Sequence, residues 1–170
     1  LSEEPFEVHD FDLKDIRSLT NRHRIVMANL VLSFAFLDTQ LSNWLVEAFQ
    51  MRSDRAALLL QNMSISTKYQ KLIKLFEHEG DRKLAKLLKV AKRELEDQAE
   101  FRNLVCHAQC IGVWAPDQDY VVFVPLSFIP GRPDGLKVEF RSLDGMRAAS
   151  EWADVQAGSM IDVWTKSASA

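Results

Sequence analysis

The chain has 170 residues, with 21 Lys and Arg against 24 Asp and Glu, a formal net charge of −3, and 47% apolar residues. That length holds one domain with a real core and is short for two. The small negative charge excludes a uniformly basic nucleic-acid binder, and the composition is that of an ordinary soluble globular protein. The charge is uneven. Residues 1–15 carry Glu3, Glu4, Glu7, Asp10, Asp12 and Asp15 against Lys14 alone. The middle of the chain is basic, with Lys83, Lys86, Lys89 and Arg93 among its cations. Such a stretch reads either as a solvated helix face or as a patch that attracts a polyanion.

Residues 1–11, with Pro5, read as an acidic arm, and 12–165 as a single domain. Helical periodicity begins near Asp12 and extends to Met51, with a break and a new N-cap offered by Ser18, Thr20 and Asn21. From Val26 through Phe49 the apolar residues surround most of the helix, which predicts a central helix buried on several sides. Its longest apolar block, Ile25 to Leu37, is interrupted by Asn29 and Ser33 and stopped by Asp38. That block is shorter than the ~20 residues a membrane span needs, so no membrane is expected. Ser53 or Asp54 caps a short helix, and Ser64 or Ser66 caps another that ends at Gly80. Asp81 opens a long helix extending to about Cys110, with Leu84, Leu87, Leu88, Ala91, Leu95, Ala99 and Leu104 as its apolar stripe and Lys83, Lys86, Lys89 and Arg93 opposite.

The period then changes. Ile111 to Trp114 and Tyr120 to Val124 are β-rich around the turn signal Pro116-Asp117-Gln118-Asp119, which predicts a hairpin. After a loop of residues 130–135, Leu136 to Arg141 reads as a third strand. Ser142 caps a last helix from Leu143 to Thr165, and Lys166 to Ala170 is expected to fray. The fold expected is mainly α, a bundle of four to five helices with a small hairpin or three-strand insertion (111–141) before the last one.

Chemistry concentrates in Phe101-Arg102-Asn103-Leu104-Val105-Cys106-His107-Ala108. Asn103 and His107, four residues apart, project from one helical face, and Arg102 lies about 100° around the axis with a stem long enough to return. A guanidinium, an amide and an imidazole together can hold a phosphate and move a proton. Asp38, an acid inside an apolar run, needs a partner and is a candidate to support this cluster. Cys106 and Cys110 sit too far apart in a helix for an unstrained disulfide and read as free thiols of a reducing, cytoplasmic compartment. With His107 they supply at most three metal ligands, and no second Cys-rich segment follows, so no metal and no cofactor are expected.

A multi-helix bundle with Arg102, Asn103 and His107 near the end of a long late helix resembles the HEPN superfamily, whose motif is an Arg, a polar residue and a His a few positions on. Where the superfamily often has Gly after the His, this chain has Ala108. The resemblance implies a metal-independent endoribonuclease that cleaves RNA through the ribose 2′-hydroxyl at a composite cleft of a homodimer. In that reading Arg102, Asn103 and His107 are catalytic, Lys83, Lys86, Lys89 and Arg93 guide RNA, and an antitoxin is a possible protein partner in a toxin–antitoxin or defence setting. The alternative it implies is a non-catalytic dimerisation, partner-binding or nucleotide-binding module.

Overall fold

The computed structural model of the chain describes residues 13–125 and 138–167. The expected acidic arm, the loop of residues 130–135 and the end of the expected frayed tail lie outside the described residues. Among these residues the protein is mainly helical, with five α-helices and a small four-stranded antiparallel sheet, three of whose strands come just before the last helix. A 3-10 turn, Leu13–Asp15, leads into β1 (Ile16–Arg17). Then come α1 (Asn21–Ala48), α2 (Ser53–Leu60), α3 (Ile65–Glu79) and α4 (Arg82–His107). The strands β2 (Ala108–Trp114), β3 (Tyr120–Pro125) and β4 (Glu139–Ser142) follow, and α5 (Leu143–Ser167) ends the order.

The chain forms two compact units. One gathers residues up to Val31 with Glu100–Ser150, and the other Leu32–Ala99 with residues from Glu151 onward. The first unit holds the sheet, in the order β1-β2-β3-β4. Val121, Val122 and Phe123 are consecutive and all buried, so β3 is covered on both faces. Trp114 packs edge-on against Phe140, with ring centroids 5.5 Å apart. The first strand was not expected from the sequence, because two residues carry no readable alternation. It forms because Ile16 pairs with Trp114 and Arg17 with Val113, and Asp15 O accepts from Ala115 N–H at 2.7 Å.

Gly112 is what permits this close approach. It sits at φ +145°, next to the register shift between Cys110 and Gly112, and a Cβ there would run into Arg17 O and, at 2.5 Å, Cγ2 of Ile16. Thr20 and the His23 ring meet at the start of α1. Nδ1 of His23 accepts from Thr20 N–H at 3.2 Å and lies 2.6 Å from Thr20 Oγ1. Its Nε2 faces Gln118 O at 2.8 Å, an atom that only accepts, so Nε2 carries the proton.

The second unit is built on the remainder of α1. Phe34, Leu37, Leu41 and Leu45 of α1, Tyr69, Leu72 and Ile73 of α3, and Leu88 and Leu95 of α4 are buried there. Phe34 meets Trp152 of α5, whose Nε1 donates to Glu94 Oε2 at 3.0 Å. Lys68 is the polar centre of this unit. It is 3% exposed, and its Nζ donates to Asp38 Oδ1 at 2.7 Å and to Ser42 Oγ at 2.8 Å. The neighbouring Tyr69 hydroxyl is buried without a hydrogen-bond partner among the described residues. Burial first, and then the negative charge of Glu94, push the Tyr69 phenol well above its ordinary range, so it stays protonated.

Several expected boundaries move. Ser64 caps α3 through Thr67 N–H at 3.2 Å, Asp81 caps α4 through Leu84 N–H at 3.0 Å, and Gly80 closes α3 at φ +84°, as the sequence predicts. By contrast Ser53 and Asp54 lie inside α2, whose N-cap is Arg52 without a side-chain bond. The last helix continues to Ser167 rather than fraying at Lys166. The long helix α1 also corrects the membrane argument. It has 28 residues and is long and apolar enough to cross a bilayer by length and composition alone. Its face carrying Val26, Leu30, Phe34 and Leu37 is nonetheless buried in the protein.

Replacing Gly112 with Val is expected to destabilise the fold by at least about 2 kcal/mol, because both the backbone angle and the contact with Arg17 forbid the side chain. A urea midpoint unchanged from the parent would refute this. Asp38→Ala leaves the Lys68 charge buried and is expected to cost about 1–3 kcal/mol, less than a fully buried pair because the Asp38 side chain is 40% exposed. Lys68→Met, which removes the charge and keeps the stem, should cost less than Asp38→Ala in the same denaturation series.

Candidate functional site

The motif occupies the last two turns of α4, and packing fixes which way it faces. Phe101 lies against Gly145, where a Cβ would come within 2.7 Å of its ring, and Leu104 is buried. These two anchors leave Arg102 half-buried and Asn103, Cys106 and His107 exposed. Arg102 Nη1 donates to Asn103 Oδ1 at 3.2 Å, so the guanidinium expected to return toward His107 is bonded to the neighbouring amide instead. His107 lies one turn beyond Asn103 on the same face, with Cβ atoms about 5–6 Å apart by helical geometry. It is also the last residue of α4, and Ala108 is already paired with Pro125 in the sheet. The helix therefore stops three residues before the expected Cys110. The ladder pairs of Gln109 with Val124 and Cys110 with Phe123 take the backbone groups that a further helical turn would need.

A second cation stands beside the motif turn, and the sequence reading did not single it out. Arg141 of β4 bonds Glu100 Oε1 at 2.5 Å and Glu139 Oε2 at 2.9 Å, and its guanidinium lies 5.9 Å from the centroid of the Phe101 ring. Two carboxylates neutralise it, which leaves Arg102 as the cation next to Asn103. The alternation of Val138, Glu139, Phe140 and Arg141 signals a strand, but nothing local in sequence shows that its Arg meets an α4 residue 41 positions away.

The other predicted residues fall as follows. Asp38 is held by Lys68, and no bond joins it to the motif among the described contacts. Lys83, Lys86, Lys89 and Arg93 are all exposed along α4, with Lys89 paired to Glu77 at 2.5 Å. Leu87 and Val90 are exposed among them, so this face is amphipathic rather than purely basic. His23, the other histidine that follows an arginine at a similar spacing, is buried with both ring nitrogens engaged. Among the described residues no three His, Cys, Asp or Glu side chains are grouped as metal ligands.

Both cysteines are free thiols, as expected. Cys106 is exposed, whereas Cys110 is half-buried in β2, and burial, partly offset by a hydrogen bond from the Gly112 backbone, pushes its thiol pKa up. No family model, curated protein or solved structure matches the chain.

The two thiols should separate in a labelling experiment. Iodoacetamide at neutral pH is expected to modify Cys106 well before Cys110, read by peptide mass spectrometry, and equal rates would contradict the burial of Cys110. The raised native pKa also has a sign. The folded state keeps the Cys110 proton where the unfolded chain loses it, so stability should decline as pH rises above about 8.5. The decline should be smaller in Cys110→Ser.

Proposed function

We propose that the chain is a metal-independent endoribonuclease of HEPN type, with its chemistry on the last two turns of α4. The observation that carries this reading is the contact of Arg102 with Asn103 on the same stretch of helix that ends in an exposed His107. Asn103 and His107 are exposed and Arg102 is half-buried beside them, so a polymer can approach the cluster from solvent.

The steps follow from what each group can do. The His107 imidazole takes the proton of a ribose 2′-hydroxyl as general base. The 2′-oxygen then attacks the adjacent phosphorus. The bond from phosphorus to the 5′-oxygen of the next nucleotide breaks, leaving a 2′,3′-cyclic phosphate and a 5′-hydroxyl. The departing oxygen receives a proton from an imidazolium or from water. Arg102 holds the phosphate and stabilises the extra charge of the transition state, and Asn103, bonded to it, keeps the guanidinium in place. Lys83, Lys86 and Arg93 are exposed and supply sequence-independent attraction for the RNA backbone. The resemblance further implies a homodimer, an antitoxin as a possible partner and a cytoplasmic setting.

A non-catalytic interaction module is the second reading. The observation favouring it is apolar exposure, since Ile25, Leu32 and Phe36 of α1 stand open to solvent.

RNA incubated with purified protein in EDTA, beside the His107→Ala variant, separates the two. Cleavage by the parent alone, with 2′,3′-cyclic phosphate ends, is expected, and a loss of at least about 100-fold in the variant fits removal of a general base. Equal cutting by both proteins would remove His107 from the mechanism, and no cutting by either would favour the interaction module.

A further inference from the structure

The exposed face of the motif turn begins with an acid. Glu100, Asn103 and His107 follow one another at spacings of three and four, so they form one line along the end of α4, and all three are exposed. Glu100 stands one turn before Asn103, about 5 Å along the axis at ~1.5 Å per residue. A bare carboxylate there would repel the polyanion that Arg102 attracts. It is not bare, because Oε1 of Glu100 accepts from Nη2 of Arg141 at 2.5 Å.

The partners of Arg141 are unequal. Its Nη2 also donates to Oε2 of Glu139 at 2.9 Å, and its Nη1 donates to the carbonyl oxygen of Phe140 at 3.0 Å. The guanidinium carbon lies 5.9 Å from the centroid of the Phe101 ring. Side-chain exposure is 12% for Arg141 and 10% for Glu139, but 60% for Glu100. Glu139, the Phe140 carbonyl and the Phe101 ring therefore hold the guanidinium in place without help from Glu100. Glu100 is the replaceable partner. It turns into water at little cost, because a pair with so exposed a member is favoured only about two- to fivefold over the open arrangement.

Charge selects what replaces it. One guanidinium between two carboxylates leaves a single net negative charge. A phosphodiester also carries one negative charge, so its exchange for the Glu100 carboxylate leaves that sum unchanged. The N–H that Glu100 gives up becomes the donor for a phosphate oxygen, in a bond strengthened by charge on both sides.

We infer that Arg141 is a second phosphate-binding residue, and that Glu100 occupies its outer side until a phosphodiester of a bound strand displaces it. The inference takes its ligand from the ribonuclease reading and deepens that reading. The phosphate at Arg102 and Asn103 is the one to be cut. The phosphate on Arg141 is its neighbour on the same strand, one helical turn back along the line from His107. The substrate class is then a single strand with two successive phosphodiesters, and a dinucleotide with one phosphate engages Arg102 alone.

Binding is measured with a short fluorescent 2′-O-methyl oligoribonucleotide, whose blocked hydroxyl prevents cleavage, by anisotropy over a range of salt concentrations. Glu100→Gln should tighten binding about two- to fivefold, the share of Arg141 that Glu100 withholds. Arg141→Met should weaken binding about tenfold, as expected for loss of a hydrogen bond to a charged group. It should also flatten the slope of log affinity against log salt by about 0.7, the value for one phosphate contact on a single strand.

Removing any acid beside a polyanion helps binding, so the decisive comparison is a cycle. In the Arg141→Met background Glu100→Gln should lose its effect, because no guanidinium remains to be released. Circular dichroism checks each fold. Arg141→Met strips a nearly buried Glu139 of this partner, and if that variant does not fold, Arg141→Met combined with Glu139→Gln takes its place in the cycle. Absence of binding, equal or weaker binding by Glu100→Gln, an undiminished gain from Glu100→Gln without Arg141, or an unchanged salt slope in the Arg141 variant would each overturn the proposal.

No step of this test cuts RNA. The expected pattern in a protein that cleaves nothing would keep the phosphate site and remove the nuclease. Cleavage that requires His107, with binding indifferent to Glu100, would remove the Arg141 site alone.

Discussion

The passage of α4 into β2 at His107 and Ala108, with no intervening loop, is the constraint on which the candidate site depends. A helix normally ends where a cap satisfies its last carbonyls. Here the ladder takes over, because Ala108 is already opposite Pro125 and Gln109 opposite Val124. The end of the helix is therefore set by a strand 17 residues later in the chain. Packing fixes the azimuth of the last two turns, since Phe101 seats on Gly145 and Leu104 is buried. Asn103 and His107 are left outside as a consequence of those two anchors.

Electrostatics divides the arginines around this turn into different roles. Arg141 is 12% exposed and shared between Glu100 and Glu139, which makes it a tie between β4 and α4. Arg102 has a neutral amide as its partner, and among the described residues no carboxylate is paired with it. An anion approaching the motif meets Arg102 as the unneutralised cation of this pair. In the other unit Lys68 has the structural role that Arg141 has in the first. It is buried, held by Asp38 and Ser42, and joins α3 to α1. Buried charges of this kind are costly to strip of one partner and contribute more to a defined arrangement than to net stability.

The helix α1 has two unlike faces. One stripe, with His23, Val26, Leu30, Phe34 and Leu37, is buried in the protein. The other leaves Ile25, Leu32 and Phe36 open to solvent. The sequence expectation that α1 is buried on several sides came from this same density of apolar residues. One sequence feature thus gave two consequences, a core helix and an exposed apolar face.

Sequence alone determined the elements whose signals are local. Ser64, Asp81 and Gly80 mark their helix ends because capping uses atoms within three residues. The turn at residues 116–119 and the alternation around Phe140 place the strands, and the i, i+4 spacing puts Asn103 and His107 on one face. What required distant partners was decided by tertiary structure. The strand Ile16–Arg17 exists only through Val113 and Trp114, and α4 stops at His107 only because β3 receives Ala108. Asp38 went to Lys68, 30 positions away, and the second arginine of the motif turn came from β4. The physical reason is the same throughout. Backbone caps and helical faces are set by neighbours in the chain, whereas a strand pairing or a buried ion pair has no energy until a remote segment arrives.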